Sequence, residues 1–168
     1  LAIMTCAPRA LTLSIVTIAS FVVIGKIFIE LSYIGIVPPE IGISYPIARG
    51  EMGFIRESCG AAVYRIDSKT SLAMSKSGIN YLPKVSQARW FTDRYYTFGP
   101  WLPTPQKELI GDDNTILGPG LGCANIDNDL REQIEQASRV TGSYYTYGDE
   151  KVLLIIPALR IVVLSYDG

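Results

Sequence analysis

Residues 20–40 read SFVVIGKIFIELSYIGIVPPE, an apolar run interrupted by Lys26 and Glu30 and closed by Pro38 and Pro39. A helix crosses the hydrocarbon core of a bilayer with about 20 residues at about 1.5 Å rise each. Twenty residues counted from Ala10, just inside Arg9, end at Ile29. In that frame Lys26 lies in the last turn and Glu30 at the boundary. The lysine stem can follow the lipid while its ammonium reaches the headgroups. Glu30, four residues on, shares its helical face and is placed to pair with it. A frame moved toward Val37 puts Lys26 deep, where a charge marks a partner or an ion path. Either way the two prolines stop the helix. The expectation is an anchor helix over residues 10–37 behind a short tail, residues 1–9. If the helix runs to Val37, then Leu31, Ile34, Ile36 and Val37 leave the bilayer still apolar and need cover.

Beyond this run the composition changes. Residues 10–37 hold two charges, whereas residues 40–151 have the mixture of an ordinary folded domain. The net charge is −1, without the basic face that nucleic acid requires. The chain supplies no His, which excludes His-dependent triads and His-ligated zinc or haem. The apolar stretch from Ala10 exceeds the roughly 7–15 residues of a cleaved signal core, so it reads as an uncleaved signal-anchor. Arg9 flanks it on one side and Glu40 on the other, which favours a cytoplasmic N-terminus. Cys59 and Cys123 then share the far side, where two cysteines most simply form a disulfide. The domain following the anchor is therefore expected outside the cytoplasm, in a periplasmic or extracellular setting.

Residues 38–58 carry enough Pro and Gly to read as an extended connector to a domain over residues 59–168. CGAAVYRID (59–67) has strand composition. SKTSLAMSKS (68–77) reads as a short helix capped by Asp67 or Ser68 and stopped by Gly78. ARWFTDRYYTF (88–98) reads as extended, and residues 99–122 as a long irregular loop. NDLREQIEQASRVTG (128–142) is a helix with Asp129 and Glu132 as a capping box and Leu130, Ile134, Ala137 and Val140 on one face. KVLLIIPALRIVVLSY (151–166) is too short to span and contains Pro157, so it reads as two buried strands or one bent strand. The fold expected is a single N-terminal transmembrane helix followed by a small α+β domain, an antiparallel sheet with one or two helices.

Candidate chemistry is sparse. GDDN (111–114) and DND (127–129) offer oxygen ligands to calcium, but their spacing fits no EF-hand and suits turns and caps. DSKTSLAMSKSG (67–78) unites Ser and Lys without the S-x-x-K spacing of His-free hydrolases. GPGLG (118–122) lacks the ending of a phosphate loop. No nucleotide, haem or flavin pattern is present, and no cofactor, metal or catalytic residue is expected. Trp90, Phe91, Tyr95, Tyr96, Phe98 and Trp101 suit a core and a membrane-facing belt. They also suit a recognition surface, since Arg89 and Arg94 interleave with them and Trp, Tyr and Arg dominate binding hot spots. The expected interaction residues are Lys26, Glu30, Trp90, Arg94, Tyr95, Tyr96 and Trp101.

Three functions follow in order. The first is a non-enzymatic accessory or adaptor subunit of a membrane or cell-envelope assembly, acting by protein–protein contact. The second is a fibre subunit: the layout resembles that of pilins, with an apolar N-terminal helix before an α+β head carrying one disulfide. That resemblance implies a filament core built from the helices, and self-association. The pilin pattern of an apolar start with an early Glu is not followed here, where Thr5, Cys6, Pro8 and Arg9 intervene and Glu30 comes late. The third is a membrane-tethered hydrolase using Ser and Lys or paired acids. Partners expected are membrane or envelope proteins and the lipid bilayer, without nucleic acid.

Overall fold

The computed structural model describes residues 7–54, 57–106 and 117–168. Helix α1 (Ala7–Ile36) is a continuous helix of 30 residues. It passes residue 29 because apolar residues continue, and it ends where Pro38 and Pro39 forbid another turn. Contacts divide the chain into Leu1–Ile34 and Gly35–Gly168. In the first unit the large apolar side chains from Ile15 to Leu31 are exposed, Phe21 at 71% and Phe28 at 70%. Ser14–Ile36 has mean hydropathy 2.0, long and apolar enough to cross a membrane. The Ser20 and Ser32 hydroxyls donate to the carbonyls of Val16 and Phe28, each at 2.9 Å. Such bonding within the helix satisfies hydroxyls that lie on an apolar surface.

The second unit is built on one antiparallel sheet. In chain order come β1 (Ile43–Phe54), β2 (Glu57–Ile66), α2 (Ser68–Ser77), β3 (Ser86–Gln87), β4 (Thr97–Phe98) and β5 (Leu102–Pro103). Then follow α3 (Leu117–Cys123), α4 (Asn128–Arg139), β6 (Tyr144–Gly148), β7 (Lys151–Ile156) and β8 (Ile161–Asp167). The six-stranded sheet has the order β1-β2-β8-β7-β6-β5, and β3 pairs with β4 apart from it. Val152, Leu154 and Ile156 of β7 share a face with Ile161 and Val163 of β8. Leu153 and Ile155 face the other way, beside Leu164 and Val162. Every residue of β7 is buried. A strand buried on both faces reads as an unbroken apolar run, as KVLLII does. Pro157 falls between the strands, in a 3-10 turn closed by Arg160 at φ 54.

One face is covered by α3, α4 and the turn between them, through Leu117, Leu121, Ala124, Ile126 and Ile134. Helix α3 approaches closely because Gly120 has no side chain. A Cβ there would lie 2.0 Å from Ser165 Oγ and 2.6 Å from the Gly60 carbonyl. The Ser165 hydroxyl donates to the Leu117 carbonyl at 3.1 Å. Gly50 of β1 is similarly tight, with the Ala124 carbonyl where a Cβ would be. Cys59 and Cys123 are disulfide-bonded, Cα atoms 5.7 Å apart, joining β2 to the end of α3. The opposite face buries Ala62, Tyr64, Ile66, Val162 and Leu164 completely. Val37, Ile41, Met74, Leu82, Phe98 and Trp101 are buried too, outside the first core cluster.

Several local expectations are corrected. Residues 43–54, assigned to a connector, form β1 and pair with β2 over its length. Pro46 is tolerated because β1 is an edge strand and its register shifts between Pro46 and Ala48. GPGLG is helical within α3, with Pro119 in the first turn, where no hydrogen bond is lost. Residues 107–116, including the GDDN tetrad, lie outside the described residues. The cap of α4 is Asp127, which accepts from the amides of Asp129 (3.0 Å) and Leu130 (3.2 Å), two residues before the expected box. Helix α4 ends at Arg139, leaving Val140 58% exposed rather than on the buried face. Residues 88–98 turn through a 3-10 segment at Arg94–Tyr96, capped by Asp93, and return as β4. Asp67 caps α2 as expected, accepting from the Thr70 amide at 2.6 Å, and that bond holds its carboxyl below the usual range.

The close approach at Gly120 gives a direct test. Gly120→Val should destabilise the domain by about 2 kcal/mol or more, since its side chain meets backbone and Ser165 together. Reducing the disulfide should cost about 4 kcal/mol for a loop of this length. Denaturant midpoints of the oxidised, reduced and Gly120→Val proteins check both.

Candidate functional site

The chain leaving α1 is held by a collar of hydrogen bonds. The Trp90 amide donates to the Gly35 carbonyl at 3.1 Å. Arg89 Nη2 donates to the carbonyls of Ile41 (2.8 Å) and Pro38 (3.3 Å). The Tyr81 hydroxyl donates to the Glu40 carbonyl at 2.7 Å. The Gly42 amide donates to Thr70 Oγ1 at 2.9 Å, and the Asp67 amide donates to the Gly42 carbonyl at 2.8 Å. Residues 35–42 make few bonds among themselves, since prolines end the helix before a strand begins. Their polar groups are met by side chains and amides from α2 and the aromatic segment. Gly42 is required there, because a Cβ would overlap the Asp67 carboxylate.

An aromatic series starts from the same collar. The rings of Trp90 and Phe91 lie against Gly35, 2.6 and 3.1 Å from where a Cβ would stand. Phe91 stacks on Tyr96, centroids 4.4 Å apart, and Tyr96 meets Tyr95 edge-on at 5.1 Å. Under Tyr95 lies the buried Lys151 ammonium, 3.2 Å from the ring centroid. Lys151 Nζ donates to the Tyr95 carbonyl at 3.1 Å and also to the Asp149 carbonyl. The Tyr95 hydroxyl donates to Glu150 Oε2 at 3.0 Å. Burial pushes the Lys151 ammonium down to about 8, against the opposing pull of the Asp149, Glu150 and Asp93 carboxylates. Burial first, then the bond to Glu150, pushes the Tyr95 phenol up to about 12.

The structure brings Trp90, Tyr95 and Tyr96 into this series and leaves Arg94 exposed beside it. Trp101 does not join them. It is 5% exposed and its indole donates to Ser86 Oγ at 3.0 Å, so its ring is a core element rather than a contact surface. Lys26 is exposed and Glu30 half-buried on α1, four residues apart on one face. Sequence reasoning misses Lys151, which reads as the polar start of a strand. The Gly-Asp-Glu turn before it, whose Asp149 carbonyl accepts from the ammonium, is the local signal of its setting. The Ser and Lys side chains of α2 are exposed except for the half-buried Ser71, and stand apart from the buried Thr70 in the collar.

Among the described residues no group of His, Cys, Asp and Glu could hold a metal ion. An open groove of about 440 Å³ between α4 and the turn after β7 is lined by Gln133, Gln136, Val140 and Leu159 among others, none of them titratable. No family model, curated protein or solved structure matches the chain.

The buried lysine predicts a pH dependence. The unfolded chain keeps this proton to about 10.5, whereas the folded chain releases it near 8. Between those values the unfolded state binds more protons, so stability contributed by this site rises with pH. Tyr95 acts oppositely, its contribution being lost only as pH climbs from 10 toward 12. Relative to Lys151→Met, and with part of the effect screened by solvent, the native protein should gain on the order of 2 kcal/mol between pH 8 and pH 10. Guanidinium midpoints of both proteins across that range measure it, and a flat difference would reject the assignment.

Proposed function

We propose that the protein is a membrane-anchored, non-enzymatic adaptor, its head outside the cytoplasm, acting by contact with other membrane or envelope proteins. The observation that carries this reading is the pairing of α1 with the collar. A helix with large apolar side chains exposed from Ile15 to Leu31 needs lipid or protein around it. Its exit is fastened to the head by hydrogen bonds from three other segments, 67–70, Tyr81 and Arg89–Trp90. That is the construction of a support that holds a surface at a set place. The surface beside the exit carries Tyr95, 39% exposed, with the exposed Arg94, and these residue types dominate contact hot spots. The Cys59–Cys123 bond supports an oxidising setting for the head.

Alkaline carbonate should leave the protein in the membrane pellet. Arg94→Ala, at an exposed side chain, should lower partner recovery from detergent-solubilised native membranes by about 2 kcal/mol or more in affinity while circular dichroism stays unchanged. Lys26→Leu should leave recovery intact if its charge only reaches the headgroups. Release by carbonate removes the anchored reading. Recovery as long homopolymers of this chain favours the fibre, and a lone monomer that turns over a substrate removes the adaptor.

A further inference from the structure

The anchored reading leaves open where along α1 the membrane surface falls, and the collar supplies a marker. We propose that Trp90 docks in the lipid headgroup layer around the exit of α1 and fixes the depth of the helix. This rests on the membrane reading of α1. Large apolar side chains are exposed on α1 as far as Leu31, 43% exposed, so the hydrocarbon reaches at least that residue. Gly35 stands four residues further on, about 6 Å along the axis at about 1.5 Å per residue. The headgroup layer on each side of the core is roughly 5–8 Å thick. Trp90 is seated on Gly35 by its own amide and by ring contact, yet its indole remains 52% exposed. A half-exposed indole held at that height has the ring body and N–H that partition to the bilayer interface. Trp90 cannot slide along the axis without breaking its bond to the Gly35 carbonyl. Its preferred depth therefore sets that of α1, placing Glu30 at the hydrocarbon edge and Lys26 about 8 Å below Leu31, within reach of the headgroups.

The experiment uses the full chain reconstituted in phosphatidylcholine–phosphatidylglycerol vesicles, with Trp90→Phe as the reference. Trp101 is buried and hydrogen-bonded, so the difference between the two proteins isolates Trp90 emission. Phosphatidylcholine brominated close to the headgroup should remove more of that emission than lipid brominated near the bilayer centre. Aqueous acrylamide should quench it less than in detergent-free denatured protein. Strong acrylamide quenching without a response to brominated lipid overturns the proposal, and so does resistance to both, which means cover by protein. A chain that fails to float with the vesicles overturns the membrane reading itself, a result distinct from an inserted chain whose Trp90 ignores the lipid.

Discussion

Strands β7 and β8 are apolar on both faces, and that constraint organises the head. A sheet with one wet face needs a single covering layer, but this one needs two. On one side α3 and α4 supply it, and Gly120 lets α3 sit directly over β8 and β2. The opposite face is buried as well, and the buried hydrophobics outside the first cluster, Val37, Ile41, Met74, Leu82, Phe98 and Trp101, come from the helix exit, α2 and the turn after it, and the aromatic segment. The second layer thus recruits the chain that leaves α1. The collar follows, since backbone drawn into a covered layer must find partners for its amides and carbonyls.

The features legible in the sequence are those fixed by short-range chemistry. Pro38 and Pro39 ended α1, Pro157 divided the last apolar run into β7 and β8, and Asp67 and Gly78 bounded α2. The two cysteines that follow the apolar run paired. Features set by distant partners were hidden. Residues 43–54 look like a linker because of Pro46 and their glycines, and only the ladder offered by β2 makes them a strand. GPGLG opposes helix propensity, but its small residues are what let a helix dock on Ser165 and Gly60. The α4 cap was displaced because three acidic or amide residues in a row all suit the position, and the local sequence does not rank them.

The candidate site was legible as a cluster and not as an arrangement. Composition picks out the aromatic residues between Trp90 and Trp101, yet it cannot separate the core rings, Phe98 and Trp101, from the exposed Trp90. That separation is made by the β3–β4 pairing, which buries Phe98 and brings Ser86 to the Trp101 indole. Lys151 is harder still. Its burial depends on Tyr95, far off in sequence, folding across the end of β7.

The collar also determines how the head would carry mechanical load. Tension along α1 reaches the second unit at Gly35, ahead of any strand. From Gly35 to Gly42 it meets bonds to Trp90, Arg89, Tyr81, Thr70 and Asp67 in turn, which belong to three stretches of chain. Only after these have yielded does force pass to β1, which borders the sheet and can be peeled from β2. Beyond β1 the Cys59–Cys123 bond locks β2 to α3, a covalent stop against further unravelling. The strand most easily peeled is thus shielded by a shared attachment that takes up the pull before β1 feels it.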